Sequence, residues 1–204
     1  MKNLFVNSIL FFALCIAFSV FTACSNTVST QKGPIDENAP PSDTTIESKK
    51  SNYPLAPVGI MQGEIKDLEG NTFKFEDKKG KVILINLWAI WCGPCIGEMP
   101  HLVEMQEKYK DKDFEIVGLN VGDQDGQVEP TDNIKAFAEK MNLNYQLGYA
   151  DNKFVSDFFK ISRRDGIPQS LIINREGELT GVFTGGGRGV INKMKETVDK
   201  IVNE

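Results

Sequence analysis

The chain has 204 residues, of which 41% are hydrophobic and 25% charged, with four cysteines and one histidine. A formal charge of −5 lacks the basic excess that nucleic-acid binding needs, a lone histidine excludes any site built on two imidazoles, and four cysteines are too few for a disulfide scaffold. The length is enough to bury a core without disulfide or zinc staples.

Residues 1–23 read as a signal peptide. Lys2 supplies the positive start, and Ile9 to Ala23 is apolar apart from Ser19 and Thr22. These fifteen residues would span about 22 Å as a helix, short of the hydrocarbon core of about 30 Å. Phe21-Thr22-Ala23-Cys24 resembles the bacterial lipobox, with Phe21 where leucine is usual. The resemblance implies that Cys24 is acylated, becomes the new N-terminus and anchors the chain to a membrane. The alternative is an ordinary signal peptide or an uncleaved anchor, with Cys24 incidental. Residues 24–54 are the lipidated cysteine and a tether rich in Ser, Thr, Asn, Asp, Lys and Pro, with no apolar periodicity to offset ordering entropy. As a flexible coil the tether reaches roughly 30 Å. A single folded domain is expected over residues 55–204.

Within that domain strands alternate with helices. Gly63–Leu68 and Thr72–Phe75 flank Glu69-Gly70-Asn71 and read as a hairpin. Val82–Trp88 is almost continuously apolar, as suits a central strand covered on both faces. A helix is expected from about Cys92 to Lys108, with Ile96, Met99 and Val103 on one side. Phe114–Val121 reads as a second buried strand. Ile134, Phe137, Ala138 and Met141 keep helical spacing, and a short strand near Tyr145–Tyr149 and a helix around Phe154–Phe159 follow. Gln169–Asn174 and Glu178–Phe183 form another hairpin, and Ile191, Met194, Val198 and Ile201 mark the last helix. The implied class is α/β, with a mixed central sheet and helices on both faces.

Chemistry is concentrated where the central strand meets its helix, at Trp91-Cys92-Gly93-Pro94-Cys95. A sulfur at a helix N-terminus meets unpaired N–H groups and the positive end of the helix dipole, which stabilise its anion. Lowering a thiol pKa from about 8.5 to about 7 raises the thiolate fraction at neutral pH from roughly 3% to roughly 50%. Cys92 is expected to be the exposed attacking nucleophile and Cys95, one turn deeper, the resolving thiol. The competing readings are weaker. A disulfide between residues three apart closes too small a loop to stabilise much. Cys92, Cys95 and His101 fall short of a four-ligand zinc site, and haem attachment needs a histidine where Ile96 stands. No metal and no cofactor is expected.

Leu87–Cys95 resembles the thioredoxin active-site segment, and Arg164-Asp165-Gly166-Ile167-Pro168 resembles the same superfamily's cis-proline loop. The N-terminal hairpin, the strand-helix insertion around Val121–Leu147 and Glu98-Met99-Pro100 are similar to the TlpA/ResA-like, membrane-anchored members of the AhpC/TSA-redoxin superfamily. The resemblance implies a thioredoxin-like fold and a dithiol–disulfide cycle, usually run as a reductant and often in cytochrome c maturation. It implies that Ile167 and Pro168, with Trp91, Gly93 and Pro94, contact an extended client chain, Pro168 after a cis bond. Pro100 is expected as a structural kink. Thioredoxins carry a buried Asp where this chain has Asn86, and an amide cannot accept the proton, so Glu98, three residues beyond Cys95, is the candidate base. Its alternative is a solvated charge on the helix face.

The partners implied are disulfide-bearing client proteins and a membrane dithiol carrier that restores the reduced form. Two other function classes remain open. A thiol peroxidase of peroxiredoxin type is disfavoured by Ala89-Ile90-Trp91, where a Thr-x-x-Cys context would stand. The other is a non-catalytic thioredoxin-fold binding lipoprotein. His101 is expected on a helix surface and Asp123-Gln124-Asp125-Gly126 in a turn. Gly185–Gly189 is expected to pass backbone close to the active-site rim.

Overall fold

The computed structural model describes residues 52–204; the expected signal peptide, Cys24 and nearly all of the expected tether lie outside the described residues. In chain order the elements are α1 (Val58–Met61), β1 (Ile65–Asp67), β2 (Thr72–Phe73), a 3-10 turn (Phe75–Lys78), β3 (Val82–Trp88) and α2 (Gly93–Tyr109). They continue with β4 (Phe114–Asn120), α3 (Thr131–Met141), β5 (Gln146–Tyr149), α4 (Asn152–Ser162), β6 (Gln169–Ile173), β7 (Leu179–Thr184) and α5 (Arg188–Val202).

The strands form one mixed sheet of seven in the order β2-β1-β5-β4-β3-β6-β7. β3, β4 and β5 run parallel, joined by crossovers through α2 and α3, while β1, β2, β6 and β7 add antiparallel edges. Every residue of β3 is buried, which explains an apolar run interrupted by Asn86 alone: each face of the strand has a helical layer to fill. Val82, Leu84 and Trp88 join Met99 and Leu102 of α2, Ile134 of α3 and Met194 and Val198 of α5 in one core. The alternate residues Ile83, Ile85 and Leu87 join Ile60, Phe75, Phe154 and Phe158 in a second core on the opposite face. The period-two alternation of the strand thus divides the molecule into two cores.

The mixed α/β class, the hairpin and the inserted α3–β5 unit are present as expected. The details differ where local packing overrides pattern. The first hairpin is shorter than its apolar run because Asp67 closes the turn from inside, its Oδ1 accepting from the backbone N–H groups of Glu69 at 3.0 Å and Asn71 at 2.8 Å. α1 and the 3-10 turn are too short to leave a periodic signal. The inner face of α2 consists of Cys95, Glu98, Met99, Leu102, Met105 and Tyr109, so Ile96 and Val103 sit at its margins rather than on it. α2 runs on through exposed Pro100, which lacks the N–H that would bond one turn back. The chain meets the fold just ahead of Leu55: the Pro54 carbonyl accepts from Leu179 N at 2.8 Å. Among the described residues no helix is long and apolar enough to cross a membrane.

Candidate active site

β3 delivers the chain to the carboxyl end of the sheet, where Ala89 O accepts from Cys92 N at 3.2 Å and α2 begins. Cys92 is the N-cap of α2: its Sγ accepts from Cys95 N at 3.2 Å, and Pro94 sits in the first turn, where no intrahelical donor is needed. Cys92 and Cys95 are joined in a disulfide with their Cα atoms 5.3 Å apart. After reduction the same N–H groups and the helix dipole would face a Cys92 thiolate.

The expected exposure of Cys92 needs correction in this oxidised state. Cys92 retains 4% of its surface and Cys95 none. The bond to Cys95 and the hydrogen bond from its N–H turn the Cys92 sulfur toward the first helical turn. The order of access is nevertheless the expected one, since Cys92 alone of the pair has accessible surface.

Three segments frame the disulfide. Trp91 is 43% exposed and its Nε1 donates to Gly122 O at 3.0 Å, which fixes the indole beside the end of β4. Pro94 and Gly93 are exposed on the rim. A methyl group built on Gly186 would stand 3.1 Å from Pro94 Cβ, so the Gly185–Gly187 loop passes the rim at backbone contact. The Ile167–Pro168 peptide bond is cis. Leu87 pairs with Gln169 across β3 and β6, so Pro168 enters the sheet beside Trp88, at the same end as the cysteines. Pro168 O accepts from Gly185 N at 2.8 Å, and Gln169 Nε2 donates to Arg164 O at 2.9 Å and Gly166 O at 2.6 Å, holding the loop from behind.

Glu98 faces inward and is 2% exposed, which removes the solvated-charge alternative. Burial pushes its carboxyl up from the usual value to about 7, against the opposing pull of the hydrogen bond from Asn86. Asn86 Nδ2 donates to Glu98 Oε1 at 2.7 Å and to Ser170 Oγ at 3.0 Å. Burial, and secondarily the charge of Glu98, push the Tyr145 phenol well above its ordinary range. His101 is on the helix surface, its Nδ1 3.8 Å from the Glu104 carboxylate. Asp123 folds its own turn, Oδ1 accepting from Asp125 N and Gln127 N.

The pattern of the sequence brought the two cysteines, Glu98, Trp91 and Pro168 to notice, and the fold collects them at one end of the sheet. It did not single out Ser170, Tyr145 or Gly118. A methyl group on Gly118 would stand 3.0 Å from Tyr145 Cε2 and Leu147 Cδ2 and 3.2 Å from Trp88 Nε1. Only Ser170 left a hint, as a small polar residue just ahead of the apolar run Leu171–Ile173 and close behind Pro168.

The chain is 30% identical over 122 residues to the thiol-disulfide oxidoreductase ResA of Halalkalibacterium halodurans, a match over 60% of this chain and 64% of that protein. The chain thus spans less than two thirds of that relative's length. Among solved structures it superimposes on a thioredoxin-family thiol:disulfide interchange protein from Chlorobium tepidum with a TM-score of 0.58 and 24% identity, covering 75% of this chain and 99% of the other. A thiol:disulfide interchange protein from Bacteroides sp. gives a TM-score of 0.56 at 25% identity, covering 76% and 91%. The fold is therefore thioredoxin-like. The AhpC/TSA family model matches residues 60–182, more than half of the sequence, and the chain belongs to that family.

Proposed function

We propose that the protein is a membrane-tethered, extracytoplasmic thiol–disulfide oxidoreductase that reduces disulfides in client proteins, such as those handled in cytochrome c maturation. The observation that carries this reading is the Cys92–Cys95 disulfide at the N-terminus of α2, with the more accessible sulfur at the N-cap. The names of the similar proteins support the same class of chemistry.

In the reduced protein the Cys92 thiolate attacks one sulfur of the client disulfide. That bond breaks, a Cys92–client disulfide forms and the other client sulfur leaves as a thiolate. Cys95 then gives its proton to Glu98 and attacks Cys92 Sγ. The Cys92–Cys95 bond re-forms and the second client sulfur leaves as a thiolate, so the client gains two electrons and takes one proton by way of Glu98 and the other from solvent. The backbone of partly exposed Ile167, ahead of buried Pro168, pairs with the extended client chain as a short added strand, with Trp91, Gly93 and Pro94 on its flank. Gly93-Pro94 places no charged or imidazole group between the cysteines to favour the thiolate further. This supports a potential near the reducing end of a range from about −270 to about −120 mV, a span worth roughly 7 kcal/mol for two electrons. A reductant in an oxidising compartment needs re-reduction, which a membrane dithiol carrier supplies. The anchor rests on residues 1–23 and Cys24.

Cys95→Ala leaves Cys92 able to attack but not to be displaced, so the variant should accumulate mixed disulfides that identify the clients by mass spectrometry. A Cys92→Ala control should capture none. Equal capture by both variants, or peroxide consumption by the wild type at a rate exceeding disulfide exchange, would overturn the assignment.

A further inference from the structure

Asn86, Glu98 and Ser170 come from β3, α2 and β6, none is more than 2% exposed, and they meet at one amide nitrogen. Asn86 and Ser170 are direct cross-strand partners, so sheet register rather than a flexible side chain sets their contact. Ser170 also lies two residues beyond Pro168, on the strand that continues from the proposed client-pairing segment.

An amide has a donor end and an acceptor end. Its nitrogen suits a carboxylate, whereas a carboxylic acid presents an O–H and needs the oxygen. Glu98 and Ser170 both contact the same position of the Asn86 amide, so a half-turn of that amide offers Oδ1 to both. Glu98 O–H can then donate to Oδ1, and so can the Ser170 hydroxyl, because a hydroxyl serves as donor or acceptor without ionising. An apolar residue at this position would leave a hydrogen bond unmade in a buried site.

We propose that Ser170 is a positioning residue that reverses its hydrogen bond as Glu98 gains or loses a proton, letting the Asn86 amide follow the carboxyl group between its two states. The inference rests on the reading of Glu98 as the base for Cys95. When the Cys95 S–H bond breaks and the Glu98 O–H bond forms, Asn86 turns its oxygen to Glu98 and Ser170 changes from acceptor to donor. Loss of the proton restores the arrangement seen here. The other titratable groups near Glu98 are Tyr145, just before β5, whose phenol burial and the Glu98 charge keep neutral, and Cys95 on the same helix. His101 lies on the helix surface.

The test is a carbon-13 NMR titration of the Glu98 carboxyl in the oxidised full chain, where neither cysteine titrates. Ser170→Ala leaves an amide N–H without an acceptor in the carboxylate state. In the acid state it leaves only a spare lone pair on an oxygen already bonded to Glu98. The charged form is penalised more, so the midpoint should rise by about one pH unit, and Ser170→Thr, which keeps the hydroxyl, should restore it. If the alanine variant fails to fold, Ser170→Cys, with its weak hydrogen-bonding thiol, should shift the midpoint in the same direction. An unchanged midpoint in the folded variant overturns the proposal. The pH profile of single-turnover exchange by the reduced protein separates the two readings. A raised NMR midpoint with an unmoved exchange profile supports the hydrogen-bond reversal and removes Glu98 from the exchange mechanism.

Discussion

The two faces of the sheet do different work. Beneath α1 and α4 the buried set is mainly apolar, with Phe75, Phe154 and Phe158 in contact at centroid distances of 6.0 and 6.2 Å, Gln169 buried at the start of β6 and Lys78 paired with half-buried Glu115 at the margin. Beneath α2 the sheet carries Asn86 and Ser170, faces a buried carboxyl, supports a disulfide and leaves Trp88 Nε1 without a partner among the described residues. Polar groups cost stability in an interior unless they are paired. Their concentration on one face marks the α2 layer as the one that holds groups suited to chemistry, with its own extensive apolar cluster offsetting their cost.

The sharpest way to break this division is to damage the apolar face and ask whether the chemistry notices. Phe158 is fully buried in the cluster on the face opposite the cysteines. Phe158→Ala should cost about 3–5 kcal/mol in denaturant unfolding, while the folded fraction retains wild-type disulfide-exchange rates. A comparable loss of exchange in fully folded protein would mean that the two cores are functionally coupled.

The complementary substitution falls on the α2 face. The Glu98 carboxyl is raised to about 7 in the fold, so between the ordinary carboxyl value and that midpoint the folded state binds more protons than the unfolded one. Stability must therefore fall as pH rises through this window, a loss on the order of 3 kcal/mol when complete. Glu98→Gln removes the ionisation. In the oxidised protein its stability relative to wild type should be pH-independent below the window and should improve progressively up to pH 8. A constant difference at every pH would show that Glu98 ionises as freely in the folded protein as in the unfolded chain. In the reduced protein the same variant should flatten the acid limb of the exchange-rate profile.

The same asymmetry explains what could be foreseen from the sequence. An apolar run long enough to fill both faces of β3, a Cys-x-x-Cys at its end and helical spacing in α5 are local patterns, and each became the element expected. Glu98 was legible as a candidate because its distance from Cys95 is one helical turn. Its inward orientation was not: Ile96, Met99 and Val103 share one side by spacing, and only the packing shows that α2 turns Cys95, Glu98 and Met99 to the sheet. The Asn86–Ser170 contact depends on the antiparallel register of β3 and β6, which joins residues 84 positions apart. No periodicity within either strand encodes that pairing. The first hairpin was placed correctly but drawn too long, because the Asp67 side chain ends pairing earlier than the apolar pattern does.

The smallest effect asks how tightly the chemical face is packed. Gly118 is in β4 at a point where Trp88, Tyr145 and Leu147 converge, with room for no added carbon at ordinary contact distance. The neighbour atoms are ring edges and one methyl group, and Trp88 is itself stacked on Phe137 at 5.5 Å, so accommodation has to come from moving rings rather than from rotating a free end. Gly118→Ala should therefore cost about 1–3 kcal/mol through overpacking, partly offset by the lower chain entropy of alanine in the unfolded state. Tyr145 is near enough to Glu98 to feel its charge, and burial is what raises the Glu98 carboxyl. The displaced ring should therefore also shift the Glu98 midpoint by changing that burial, whereas an equally destabilising change beneath α4 should not. Equal midpoints in Gly118→Ala and Phe158→Ala would mean that the polar cluster is insulated from its own layer as well as from the opposite one. The division would then run around three side chains rather than between two faces.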